Sequence, residues 1–184
     1  LWTDEFFTLF ESTGHGVDVN RILDSVSEQK ATDLLKAEDF KALLRLNRAK
    51  NLKDVSDGLR KTDTHPPLYF WVTHIWMRLF GDGIFALRFF SLLMGLFAIV
   101  LAYFAGGYLF GKGAAIFSAL FVSICPFGVR FSQEARSYSL IIVLGLLSWI
   151  LLIRFEKYNK NTDAFLFAIF SSLGFYTHYF YSFI

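Results

Sequence analysis

The sequence predicts an all-α fold: a polytopic transmembrane helical bundle with an extracytoplasmic loop of short juxtamembrane helices. Three observations predict it. Of 184 residues, 54% are hydrophobic and 19% aromatic, and mean hydropathy is +0.43. Charge is unevenly spread: residues 1–65 hold 22 of the 34 charged side chains (12 acidic, 10 basic), while the other 119 hold 12 charges and 19 of the 23 Phe. Long apolar stretches then follow one another from Ile84 onward. A soluble domain of this size carries about a quarter charged residues, and none needs such an asymmetry. The single Cys excludes a disulfide scaffold. A net charge of +2 leaves no basic surplus for a run of phosphates, so no nucleic-acid partner is expected.

The chain starts at Leu1, without Met or signal peptide, and stops at Ile184 inside an apolar stretch. It reads as part of a longer membrane protein, with one span expected before Trp2 and more after Ile184. Residues 1–83 read as a first extracytoplasmic loop with juxtamembrane helices. Residues 84–184 read as a transmembrane helical block that is cut at its C-terminus.

Within the polar segment, Leu34, Leu35, Ala37, Phe40, Leu43 and Leu44 approximate the spacing of one helical face. Lys36, Glu38, Asp39, Lys41 and Arg45 lie largely opposite, with Thr32 or Asp33 as the N-cap. A second short helix is expected over Leu52–Arg60, weakened by Gly58. Most of these charges read as a solvated face. Pro66–Phe80 is about 15 residues long, carries His74 and Arg78 and opens with two prolines. That is short of the roughly 20 residues a span needs and suits an interfacial or re-entrant helix, with Trp71, Trp76 and Tyr69 at headgroup level. Spans are expected at Ile84–Phe110, Ala114–Phe131, Tyr138–Phe155 and Ala164–Ile184, because lipid leaves no backbone polar group unpaired.

Loop charge orients these spans. The linker Arg154–Lys160 carries three basic residues and one acid, which places it in the cytoplasm. Counting back, Gly111–Gly113 is inside and Gln133–Ser137 outside, on the same side as residues 1–65.

Three segments carry candidate chemistry. Asp4 and Glu5 are adjacent acids among aromatics, where desolvation and like charge raise a carboxyl pKa. Either can serve as a general base or a metal ligand; the plainer reading is two acids set against a helix dipole. In the second, Asp63 precedes His65 by two residues, ahead of a rigid Pro66-Pro67. Asp63 can orient the imidazole, both can bind a cation, or His65 is an ordinary polar loop residue. The third runs from Arg130 through Gln133, Glu134 and Arg136 to Tyr138. Arg136 beside a helix start suits a phosphate held bidentately, and Glu134 can instead pair with Arg130. His178 is an intramembrane imidazole and therefore a functional candidate, with packing or hydrogen bonding as the plainer reading. His15, His74 and Cys125 carry little signal, and Gly106-Gly107 and Gly111–Gly113 read as packing or turn glycines. There is no dinucleotide fingerprint, zinc spacing or internal repeat.

Taken in order, these segments resemble the membrane glycosyltransferases of the GT-C superfamily. The resemblance is to the family 39-like group related to dolichyl-phosphate-mannose protein mannosyltransferases and aminoarabinose lipid A transferases. It rests on Trp2-Thr-Asp4-Glu5, His65-Pro66-Pro67-Leu68-Tyr69, Phe80-Gly81 with Arg88, Leu109-Phe-Gly111, Pro126, Ser132-Gln-Glu-Ala-Arg136-Ser-Tyr138 and Tyr176-Thr-His178-Tyr. The resemblance implies a polyprenyl-phosphate sugar donor and an unidentified hydroxyl acceptor. It also implies an active site at the extracytoplasmic face of a bilayer, expected to be the bacterial plasma membrane. By the same resemblance Asp4 is the base, supported by Glu5. Asp63, His65, Gln133, Glu134, Arg136, Tyr138 and His178 bind substrate, with Arg136 neutralising the leaving phosphate. No cofactor is firmly implied. A divalent metal stays open, although Ser137 and Ser139 stand where several relatives carry an acid, which counts against a metal site. A transporter or flippase, or a non-catalytic membrane subunit, are the competing readings.

Overall fold

The computed structural model describes residues 3–18 and 44–184, and among them every regular element is helical. The helix expected around Leu34–Leu43, with its cap at Thr32 or Asp33, lies outside the described residues; Leu44 and Arg45 fall in a turn and a bend. The chain divides into two compact units, Leu1–Leu87 and Arg88–Ile184. Each is taken by itself.

The first unit contains α1 (Thr3–Thr13), a 3-10 turn (His15–Asp18), α2 (Leu52–Thr62) and α3 (Leu68–Phe80). Asn51 starts α2: its side chain accepts from the Lys53 and Asp54 amides, and the Asp54 carboxylate accepts from the Asn51 amide. That reciprocal box satisfies N–H groups the helix itself cannot pair. Val55 and Leu59, one turn apart, bury against the rest of the unit, and Gly58 is buried between them. Gly58 therefore lowers helix propensity in exchange for a close approach of backbones.

Pro66 and Pro67 set where α3 begins, since neither can donate a helical hydrogen bond. Tyr69, Phe70, Thr73, His74 and Met77 form its buried stripe. At 13 residues the helix is about 20 Å long, against a hydrocarbon core of about 30 Å. Trp71 Nε1 donates to Ser56 Oγ at 2.8 Å, fixing α3 on α2. Ser12 and Thr73 share a hydroxyl hydrogen bond of 2.8 Å, fixing it on α1.

The second unit holds α4 (Ile84–Phe110, from Arg88 on), α5 (Lys112–Ile124), α6 (Pro126–Gln133), α7 (Tyr138–Tyr158), α8 (Asn161–Thr177) and a 3-10 turn (Tyr179–Phe183). Helices α4 and α7, of 27 and 21 residues, are long and apolar enough to cross a membrane. They pack through Ala98, Leu101, Val143 and Ile150. Much of the remaining surface is large and apolar, with Phe117, Phe121, Phe127 and Phe165 more than two-thirds exposed, as suits side chains that face lipid.

Two expected spans differ in detail. The stretch Ala114–Phe131 is two helices bent by 57° at Cys125. Pro126 occupies the first position of α6, where its missing N–H costs nothing, and this breaks the run. The last stretch is helical only to Thr177, for 17 residues. There His178 leaves the helix in an extended conformation, and its Nδ1 accepts from the Phe180 amide at 3.1 Å. Gly106 marks the closest approach of α4 and α5, since a Cβ there would lie 2.9 Å from the Ala114 carbonyl oxygen and collide with the Ser118 side chain. Small residues at such crossings are how membrane helices pack without a hydrophobic driving force.

Candidate functional site

Asp4 and Glu5 both sit in the first turn of α1, so they stand against the positive end of its dipole. Their environments are opposite. Asp4 is exposed, whereas Glu5 is only 1% exposed, packed inward one residue later on the helix. An exposed carboxylate can meet a substrate; a buried one works through its neighbours.

Asp63 and His65 are brought together. Asp63 caps the C-terminus of α2, and its Oδ1 meets His65 Nδ1 at 2.6 Å. The same oxygen accepts from the Thr64 and His65 amides at 2.6 and 3.3 Å. This turn fixes the imidazole by its Nδ1 and leaves Nε2 as the ring's other hydrogen-bonding atom. Both side chains are about one-third exposed or less.

In the second unit, residues at the end of α6 and just after it form a second group. Arg130 Nε donates to Glu134 Oε1 at 2.8 Å, the i,i+4 pair that the spacing allows. Gln133 is exposed. The Arg136 guanidinium lies 5.6 Å from the centre of the Tyr138 ring, within cation–π range. Tyr138 in turn contacts the His178 ring at 6.0 Å between centroids. His178 is 6% exposed and stacks on Phe180 at 4.9 Å. Arg136, Tyr138 and His178 therefore form one column, although 42 residues separate its ends in sequence. An apolar cavity of about 260 Å³ opens between α4, α5–α6 and α7. Ser123, Ser132, Gln133 and Ser139 give that cavity its polar residues. The Ser139 hydroxyl is buried with no hydrogen-bond partner among the described residues.

Among the described residues, no group of three or more His, Cys, Asp or Glu side chains is placed to hold a metal ion. Asp63 and His65 offer two donors, and two do not make a site for a divalent cation.

Two buried polar residues carry little signal as sequence. His74 is 1% exposed, and its Nδ1 lies 2.8 Å from the Ser12 carbonyl oxygen. Arg78 Nε donates to His74 Nε2 at 3.1 Å. A guanidinium can only donate, so Nε2 accepts and the ring proton sits on Nδ1. Arg78 also donates to the Lys50 and Arg48 carbonyls, tying α3 to the chain before α2. Glu11 is the second. It is 2% exposed, with Thr62 Oγ1 2.5 Å from its Oε1. Its carboxyl pKa is raised, chiefly by burial, and the Asp63 charge adds to that rise. An acid seven residues after Asp4, inside an apolar run, is the signal that could have pointed to it.

Long apolar helices, one of them broken, together with polar groups gathered at helix ends define an integral membrane protein. Residues 64–184 match the dolichyl-phosphate-mannose-protein mannosyltransferase family, and the chain belongs to it. It is accordingly a glycosyltransferase of the GT-C type. The match takes in His65, Gln133, Glu134, Arg136, Tyr138 and His178, and begins after Asp4, Glu5 and Asp63. No curated protein and no solved structure matches the chain.

Proposed function

We propose that the chain transfers a sugar from a polyprenyl-phosphate donor to an acceptor hydroxyl at the extracytoplasmic membrane face, with inversion at the anomeric carbon. The family match over residues 64–184 is the observation that carries this reading. A donor with a long isoprenoid tail partitions into lipid, so the enzyme must meet it at the bilayer.

On this reading Asp4 takes the proton of the acceptor hydroxyl as that oxygen attacks the anomeric carbon. The bond from that carbon to the phosphate oxygen breaks, and the polyprenyl phosphate leaves with the electron pair. Arg136 neutralises the charge that develops on that phosphate, the group whose stabilisation lowers the barrier most. The ring of Tyr138 beneath the guanidinium limits the directions Arg136 can point. Glu5 supports Asp4 from the buried side of α1, and His65, held through Nδ1 by Asp63, binds substrate. Gln133 and Glu134 complete the substrate-binding set, and His178 backs Tyr138.

The bend at Cys125 favours a second reading, since transporters use broken spans at their substrate sites. One experiment separates the two. The full-length protein is reconstituted in liposomes with a polyprenyl-phosphate sugar labelled in the sugar. Label recovered on an acceptor, with free polyprenyl phosphate, supports transfer. Intact donor moved between leaflets without cleavage supports the transporter reading and refutes transfer.

A further inference from the structure

The contact between α1 and the last turn of α2 cannot be satisfied by a charged Glu11. Thr62 Oγ1 lies 2.5 Å from Glu11 Oε1 and 2.9 Å from the Gly58 carbonyl oxygen. A hydroxyl carries one proton and two lone pairs. With both neighbours as acceptors, that single proton cannot serve both, and one of two close oxygen pairs would repel. Reversing the shorter bond removes the conflict: the carboxylic acid donates to Thr62 Oγ1, and Thr62 donates to its own helix at Gly58. A separation of 2.5 Å is the short end of O–H···O geometry.

The other carboxyl oxygen agrees. Glu11 Oε2 is buried with no hydrogen-bond partner among the described residues. It packs on glycine backbone, since a Cβ built on Gly16 would lie 2.5 Å from Oε2 and 3.0 Å from Gly58 Cα. A carboxylate would leave a bare charge there; a neutral acid leaves only a carbonyl oxygen. Among the described residues, the charged groups on the surrounding elements give it no cation at hydrogen-bond range. Asp63 at the end of α2 is an acid and opposes ionisation. On α3, His74 is bonded to the Ser12 carbonyl and to Arg78, and Arg78 is turned to the Lys50 and Arg48 carbonyls. His15 and Asp18 belong to the 3-10 turn packed on α1.

We infer that Glu11 is a neutral carboxylic acid in the folded chain, donating to Thr62 Oγ1, and that this bond is a positioning contact for the Asp63–His65 pair. Thr62 is the last residue of α2 and Asp63 is its cap. Fixing Thr62 to α1 sets where Asp63 Oδ1 stands and, through it, His65 Nδ1 at 2.6 Å. The positioning half rests on the glycosyl-transfer reading; the proton itself does not.

Two arms keep those halves apart. In the first, infrared difference spectra of the full-length protein in nanodiscs at neutral pH compare wild type with Glu11→Gln. A protonated-carboxyl C=O band, present in wild type, absent in the variant and shifted in D2O, is expected; no such band overturns the inference. The second measures sugar transfer from a polyprenyl-phosphate donor against pH. Glu11→Gln keeps a donor for Thr62 and is expected to stay within about threefold of wild type, while Glu11→Leu and Thr62→Val fall about tenfold or more and Thr62→Ser recovers. Wild-type transfer is expected to decline at alkaline pH where Glu11→Gln does not. Equal loss in Glu11→Gln and Glu11→Leu, or identical pH profiles, overturns the positioning role. Wild-type protein that transfers nothing refutes the glycosyl-transfer reading, and the infrared band then decides the protonation alone.

Discussion

Replacing Asp163 with Asn should loosen the α7–α8 hairpin by a measurable and bounded amount. Asp163 lies in the first turn of α8, and its two carboxylate oxygens meet the Nη2 and Nε of Arg154, near the end of α7, each at 3.4 Å. The Asp side chain is 5% exposed and the Arg side chain 37%. At 3.4 Å and an effective dielectric near 20, the gross attraction is about 5 kcal/mol. Desolvation of the buried acid cancels much of it. Arg154 keeps water on one side, so losing its partner does not strand a fully buried cation. The net loss in Asp163→Asn is therefore about 1–2 kcal/mol, well under the roughly 3–5 kcal/mol of a wholly buried pair. Equilibrium unfolding in mixed micelles checks this, with a cycle through Arg154→Gln and the double variant. A coupling energy below about 0.3 kcal/mol would show the pair to be a surface contact and refute the reasoning.

Three further outcomes follow from the same structure. Asn51→Ala removes the side-chain half of the α2 capping box, leaving the Lys53 and Asp54 amides without their acceptor, and should destabilise the first unit by about 1 kcal/mol, read as faster amide exchange across Leu52–Thr62. Gly106→Leu forces a side chain into the Ala114 carbonyl and Ser118 and should lower stability by about 1–3 kcal/mol, whereas Gly113→Ala, with open space around it, should leave the melting temperature unchanged. Glu11 gives stability a pH dependence. Its folded pKa is raised above the ordinary 4.5, so the folded state holds the proton longer than the unfolded one. That contribution is complete below the unfolded pKa and is lost as pH rises through the folded one. Unfolding titrations should show this decline in wild type and not in Glu11→Gln.

Most of the fold was legible because lipid imposes one pattern. The apolar runs at Ile84–Phe110 and Tyr138–Tyr158 are helices where the sequence predicts them, one to the residue and one extended by a turn. The break at Cys125 was less legible: Pro126 was visible, but its placement as the first residue of a new helix depends on the flanking turns. The end of α8 was hidden for a related reason. Tyr176 to Ile184 stays apolar through the helix end, and the stop is made by a side chain, His178, accepting from the Phe180 amide. Hydropathy does not register a cap.

At the site, local pairs were readable and distant ones were not. Asp63–His65 and Arg130–Glu134 follow from spacings of two and four. The Arg136–Tyr138–His178 column needs the turn after α8 to return toward the start of α7, which no spacing encodes. Glu11–Thr62 spans 51 residues, and an acid in a polar segment has no distinguishing mark until its burial is known.

The central claim is that polyprenyl-phosphate sugar transfer depends on one carboxylate and one guanidinium acting in the transition state. Single-turnover transfer by the full-length protein, comparing wild type with Asp4→Asn and Arg136→Ala at matched stability, tests it most directly. Each substitution is expected to lower the rate of sugar transfer by about 100-fold or more while donor binding changes by less than about tenfold. Full transfer by Asp4→Asn, or loss in Arg136→Ala that is entirely recovered by more donor, would contradict it.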